Sequence, residues 1–448
     1  EPNYALPMVG REQELALIEE KLDMVAGGQG QVIGIIAEAG LGKSRLVAEV
    51  IRSARRKGFT GFGGACQSDG IHTPYLAWKS IWQAFFDVDP DMPERRLIRN
   101  LQGEIEDLAP ERVQAMPLLN VVLDLNIPEN DFTQNLEPKI RQSALHALLE
   151  DCLKAQVQEE PSLIVIEDLH WIDALSLDLM EQLAKALVNH AVCFMMAYRP
   201  PEMERLQVPR LVALPQFTRV ELHELTTAEA ESAIRAKLAQ LYPARGGTLP
   251  EGLLDALMAR AQGNPFYLEE LLNYVHDRGL DPGDLNRIEL PDSLHTLILS
   301  RIDQLSEQEK TTLRIASIIG RLFRARWLTG YYPKLGSFPE VKAALDALDS
   351  LDITPMVSPE PESAYLFKHI VTHEVTYKSL PFATRARLHE HLARYLENQI
   401  EAGAAQGFPL LDMIAYHYLR SEKTEKQREY LRRAGAVSYT HLTLPTNV

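Results

Sequence analysis

Over the first 225 residues, short apolar runs bounded by turn residues alternate with stretches of helical periodicity. Gln31 to Ala37 (QVIGIIA), Ser162 to Ile166 (SLIVI) and Val192 to Tyr198 (VCFMMAY) are continuous and rich in Val, Ile and Met, the pattern of strands covered on both faces. Phe59 to Cys66 and Phe217 to Leu222 read as two further strands. Between the first pair, Leu46, Val47, Val50, Ile51 and Ala54 fall on one helical face that ends near Gly58. A helical insertion spans about 75–157, and its last helix sets Ile140, Ala144, Leu145, Leu148, Leu149, Cys152 and Leu153 on one stripe. Strands alternating with helices predict a parallel α/β sheet with helices on both faces, which binds ligands beyond the carboxyl ends of its strands.

The pattern then changes. From Thr226 to about Asp277 it is wholly helical. A third region carries one helix with Leu294, Leu297, Ile298, Ile302 and Leu305, and a second opening on a capping box, Ser306 with Glu309. A third helix holds Val341, Ala344, Leu345, Leu348 and Leu351, and Pro355 to Lys368 reads as two short strands around SPEPES. Three helices and a hairpin suggest a winged helix. From Phe382 to Arg433 the chain is helical again. The expected divisions are 6–225, 226–285, 286–380 and 381–437, the last being the start of a helical region of tetratricopeptide-like character. Residues 438–448 (SYTHLTLPTNV) lack periodicity, resemble translated adapter sequence and are expected to be non-native; with no initiator methionine at Glu1, the chain reads as cut at both ends.

Composition narrows the classes. Across 448 residues, 46% are hydrophobic and 24% charged, as in globular proteins of several domains. The absence of a run of eighteen uncharged apolar residues argues against a spanning helix and a membrane partner. The net charge of -16 makes non-specific nucleic-acid binding a poor expectation. Cys66, Cys152 and Cys193 have no metal-ligand spacing and suit a reducing compartment, here the cytoplasm.

The chemistry lies at the strand ends. In AEAGLGKS, Ala37 to Ser44, Gly40 and Gly42 permit the backbone to turn successive N–H groups towards phosphate oxygens, and the helix starting near Lys43 adds its N-terminal dipole. Lys43 would neutralise the β/γ-phosphates and Ser44 would bind Mg²⁺. Ala37 stands where a strict loop has glycine, but at the strand exit a negative φ tolerates its methyl group. In LIVIEDLHWID, Glu167 and Asp168 end a buried strand. Glu167 fits the Mg²⁺ side and Asp168 a general base for water; an Asp here can equally cap the following turn. Arg199 at the next strand end would contact a γ-phosphate, or be a surface arginine. His170 and Trp171 read as packing and positioning residues. Arg321, Arg324 and Arg326 form the notable basic cluster of the third region, with a solvated face the ordinary reading and DNA contact the sharper one.

The ordered set VGREQEL (Val9 to Leu15), AEAGLGKSRL, LIVIEDLHWID, AYRP and GNPFYLEEL resembles the STAND branch of AAA-related P-loop ATPases. More narrowly, it is similar to the module that accompanies bacterial class III adenylate/guanylate cyclase domains and large LuxR-type regulators. The resemblance, over about 6–436, implies a slow ATPase that uses ATP and Mg²⁺, self-associates on ATP binding and controls a fused effector lying outside this chain. It places Val9, Gly10 and Arg11 near the adenine, and Gly40, Leu41, Gly42, Lys43, Ser44 and Arg45 around the phosphates. Glu167 and Asp168 become the acidic strand tip and Arg199 the first sensor. Pro265 becomes the lid proline that senses the base, and His369 of FKH a winged-helix histidine touching the β-phosphate in an inactive state, or else a core histidine. Ile172 follows Trp171 where Ala is common, and the helix after GNPF lacks the second-sensor arginine of replication initiators. An initiator-type ATPase that binds DNA, or a transcriptional-regulator ATPase module, is the alternative expectation.

Overall fold

The computed structural model describes residues 6–66, 73–89, 92–200, 209–282, 293–359, 363–401, 409–430 and 432–433, so the expected non-native tail lies outside the described residues. Five parallel strands, β1 (Gln31–Ile36), β2 (Thr60–Ala65), β3 (Ser162–Glu167), β4 (Val192–Tyr198) and β5 (Phe217–Glu221), form a sheet in the order β2-β3-β4-β1-β5. Every residue of β1 and β4 is buried, because both faces of the sheet are covered. Alternate side chains serve opposite cores. Val32, Ile36, Phe194 and Met196 join the core shared with the insertion helices, whereas Ile33, Ile35, Cys193 and Met195 pack with Ile18, Leu22, Leu46 and Val50.

The insertion supplies helices Leu76–Phe85, Glu94–Leu108 and Pro138–Glu159 against one face. One sequence expectation is corrected here. Ile140 does not belong to the buried stripe of the last helix; its residue is 52% exposed. Arg141 occupies the inward position of that first turn, donating to the Thr133 carbonyl and to Glu129 at 2.6 Å each. The buried face therefore centres on 141, 145, 148, 149 and 152, which leaves Ile140 on its margin.

The helices Thr227–Leu241, Leu253–Ala261 and Pro265–Asp277 follow, the first opened by a Thr226–Glu229 capping box. Leu238, Leu257, Leu271 and Val275 give them a core of their own. Arg301 of helix Leu294–Gln304 ties these three helices, the lid expected over 226–285, to the next region through a buried pair with Glu270 at 2.5 Å. Helix Glu307–Ile319 starts at the Ser306–Glu309 capping box, as its sequence predicts.

The winged-helix-like region has three strands rather than two. β6 (Leu322–Arg324) lies in the segment RLFRAR and pairs antiparallel with β8 (Ala364–Leu366), which pairs with β7 (Met356–Ser358). Phe323 turns inward beside Tyr365 and Phe367, while Leu322 and Arg324 face outward. Three residues are too few for a period-two pattern to stand out, so the sequence shows the hairpin and hides its third strand. Leu392, Leu396, Ile414 and Tyr418 of helices Phe382–Glu401 and Pro409–Leu419 join the same core, giving the last helices a direct seat on this region.

Candidate functional site

The loop between β1 and helix Lys43–Arg56 adopts left-handed conformations at Gly40 (φ +83°) and Gly42 (φ +95°). A side chain at Gly40 would also meet Asn264 at 2.9 Å, so the lid fits against this glycine. Lys43 Nζ donates to the Ala37 carbonyl and, at 2.9 Å, to that of Glu38. Burial and the nearby Arg199 push its ammonium down to about 8. A desolvated ammonium beside a second cation at one cavity favours an anion there.

At the end of β3, Ser44 Oγ donates to Glu167 Oε2 at 3.0 Å. Burial raises the Glu167 carboxyl, with Arg321 and Ser44 acting in the opposite direction. A hydroxyl and a buried carboxylate in contact form a hard oxygen donor set, which fits Mg²⁺. Asp168 adopts φ +54°, ψ +38°, a strained conformation for a residue other than glycine. Its side chain makes no capping bond; the helix cap downstream is Asp173, which accepts from Ser176 N at 2.9 Å. The capping alternative thus falls to Asp173, and Asp168 is left facing the cavity.

Asp168 and Arg199 are each engaged by the winged-helix-like region. Arg321 Nη1 lies 3.5 Å from Asp168 Oδ2, and Arg199 Nη2 donates to Glu374 Oε1 at 3.0 Å. Arg321 is accordingly not a solvated-face residue, whereas Arg324 and Arg326 are exposed as that reading expects. His170 lies among these charges. Burial, with Arg199 and Lys43, pushes it down to about 4 against the pull of Asp168, and its Nδ1 is buried with no hydrogen-bond partner among the described residues.

One cavity connects these groups. It is lined by Gly40, Leu41, Gly42, Lys43, Ser44 and Arg45 together with Asp168, Arg199 and Arg321. Its apolar lining is Met8, Val9, Leu225, Ile234, Leu268 and Leu272 with Pro265 and Phe266, and Lys237, Glu269 and Lys368 line it as well. Arg11 reaches the site by donating to the carbonyls of Leu41 (3.3 Å) and His223 (2.5 Å). Gly10 lies beside it at φ +68°, where an added methyl would strike Glu229 at 2.7 Å. A cavity lined by both apolar side chains and several cations suits a flat base joined to a polyphosphate.

His369 lines the same cavity and stacks on Phe266 with ring centroids 4.0 Å apart. Burial pushes it down to about 3, with Glu269 opposing and Lys368, Arg321 and Arg301 adding to the fall. Burial would raise Glu269, yet Lys237, Lys368 and His369 hold it down at about 2. Sequence reasoning passed over Asn264, Glu269, Lys368 and Glu374. Asn264, Lys368 and Glu269 lie within the quoted GNPFYLEEL and FKH segments, but nothing local marks Glu374.

Residues 7–195 match the AAA ATPase domain family. The chain is 26% identical over 404 residues to an uncharacterized protein of Rhizobium meliloti (strain 1021), a match covering 86% of this chain and 36% of that one. It is 20% identical over 473 residues to adenylate cyclase type 10 of Mus musculus, covering 93% of this chain and 29% of the cyclase. The chain thus spans about a third of the length of these curated relatives. In fold it is similar to a signal transduction ATPase with numerous domains (STAND) that carries a tetratricopeptide repeat sensor, from Pyrococcus horikoshii. The TM-score is 0.55 at 14% identity, over 98% of this chain and 52% of that one. Over 7–195 the chain thus resembles an AAA ATPase domain in sequence, and the arrangement of sheet, helices and winged-helix-like region is STAND-like in fold. Among the described residues, no helix is long and apolar enough to cross a membrane.

Proposed function

We propose that the chain is an ATP-dependent regulatory switch, in which binding and slow hydrolysis of ATP alter how the winged-helix-like region sits on the ATPase domain. The observation that carries this reading is the double ion pair, Asp168 with Arg321 and Arg199 with Glu374. Both partners line the cavity where a terminal phosphate would lie, and both are neutralised by side chains from another part of the chain. A γ-phosphate would compete with Glu374 for Arg199. ADP, lacking that group, would leave this pair in place. ATP and ADP then differ in affinity for the closed arrangement, the requirement for any nucleotide switch.

The adenine would rest against Val9, Leu225 and Pro265 of the cavity lining, with Arg11 in that lining and Gly10 beside it. The phosphates would lie on the N–H groups of Gly40 to Arg45, with Lys43 turning from its own loop carbonyls to phosphate oxygens. Ser44 and Glu167 would hold Mg²⁺, which supplies charge neutralisation at the phosphates. Asp168 would orient or deprotonate water once released from Arg321. His369, resting on Phe266, would report the closed state near the β-phosphate.

The output is a fused effector, and the match to adenylate cyclase type 10 supports a nucleotide cyclase as one such partner. Self-association would follow opening. The DNA-binding initiator reading gains no support from Arg321, whose guanidinium is committed to Asp168. Hydrogen exchange over Ile370–Lys378, with a non-hydrolysable ATP analogue and with ADP, tests the switch. Faster exchange with the analogue is expected; equal exchange overturns the proposal.

A further inference from the structure

The backbone carbonyls of the phosphate loop are bonded without a break, by groups of different origin. Ala37 and Glu38 carbonyls accept from Lys43, Ala39 accepts from Asn264 Nδ2 at 3.2 Å, and Gly40 accepts from Phe266 N at 3.3 Å. Leu41 accepts from Arg11 at 3.3 Å, and Gly42 accepts from Leu46 N at 3.0 Å. In a planar trans peptide the C=O and the next N–H point in opposite directions. A carbonyl fixed outward therefore fixes the following N–H inward. The Ala39 bond aims the N–H of Gly40, and the Gly40 and Leu41 bonds aim those of Leu41 and Gly42.

We infer that Asn264 is a positioning residue of the phosphate loop, orienting its N–H groups for phosphate from the lid side while Arg11 does so from the N-terminal side. The inference rests on the nucleotide-binding reading and adds to it a residue outside the loop. Both ends of the Asn264 amide are committed. Its Oδ1 accepts from Tyr267 N at 3.1 Å, capping helix Pro265–Asp277, which leaves Nδ2 for the Ala39 carbonyl. Lys43 must leave its carbonyls to meet phosphate, whereas Asn264, Phe266 and Arg11 have no such second task. Loop order is thereby tied to lid docking. A lid that swings away removes two of these bonds together, Asn264 to Ala39 and Phe266 to Gly40.

Asn264→Ser and Asn264→Asp test this, because both keep an N-cap acceptor and lose the donor to Ala39. Titration calorimetry with ADP is read beside the thermal midpoint of the nucleotide-free protein. The serine variant should weaken ADP binding about three- to tenfold, the range for loss of one neutral hydrogen bond. The aspartate variant, with a carboxylate against the Ala39 carbonyl, should weaken it further. The serine midpoint should stay within a few degrees of wild type, and amide exchange at Gly40 should quicken in both variants. Unchanged ADP affinity in both, or a lowered midpoint with unchanged affinity, would leave Asn264 a helix cap alone and overturn the inference. A wild-type protein that binds no ADP or ATP overturns the nucleotide reading itself, and this inference with it.

Discussion

The phosphate loop and the acidic corner lie at the same end of one sheet, yet they are completed in different ways. Lys43 finds its partners in its own loop, five and six residues away. Asp168 and Arg199 find theirs 153 and 175 residues away, on the winged-helix-like region. The loop takes its course from its own glycines, strand and helix, and Asn264 and Phe266 then order its carbonyls from outside. A corner of part-buried charges takes whichever counter-charge arrives, whether a side chain or a phosphate. On the proposed reading, the first region binds and the second registers what is bound.

The largest effect that would break this contrast is on the loop. Lys43→Ala should weaken ATP binding by about a hundredfold or more, since a desolvated charge-assisted contact is lost; calorimetry reads it directly. ATP affinity like that of wild type would remove the loop from the site. At the corner, Asp168→Asn should leave ATP affinity within a few-fold while phosphate release slows by about a hundredfold. A parallel loss of both would show Asp168 to be part of binding rather than of turnover.

Smaller effects sharpen the comparison. The Arg199–Glu374 pair is 25% and 37% exposed by side chain, so its contribution is at most about 1 kcal/mol after solvent screening. Glu374→Gln should therefore raise ATP affinity relative to ADP by only a few-fold, measured as the ratio of the two Kd values. An unchanged ratio would deny Glu374 its competition with the γ-phosphate. The smallest effect concerns pH. His369, held near 3, stays neutral in the folded protein while an unfolded chain binds a proton near pH 6.5. Its contribution is thus present above pH 6.5 and lost as pH falls from there towards 3. Wild type should lose a few degrees more of melting temperature between pH 7 and 5 than His369→Gln does. Identical pH profiles would mean that His369 is solvated and not part of the closed contact.

Much of this was legible along the chain. QVIGIIA, SLIVI and VCFMMAY are buried strands because uninterrupted apolar runs have only a doubly covered sheet to occupy. Gly40, Gly42, Lys43 and Ser44 carry their chemistry in consecutive positions, where the local backbone alone brings them together. Asp168 was recognisable as an acid at a buried strand tip, though its freedom from capping depended on Asp173 five residues on. Ile140 shows the limit of periodicity, since a buried arginine with two good acceptors displaced an isoleucine from the core face. β6 shows the limit of length, three residues being too few to reveal a strand.

What the sequence determined by itself is the sheet, the phosphate loop and the residue types at the strand ends, because each depends on neighbours within a few positions. Only the tertiary structure decided that Arg321 faces Asp168, that Glu374 takes Arg199, and that Asn264 reaches the Ala39 carbonyl. Those contacts join segments separated by more than a hundred residues. Charge and hydrogen-bond partners at that range are selected by how the elements pack, and no local pattern records the choice.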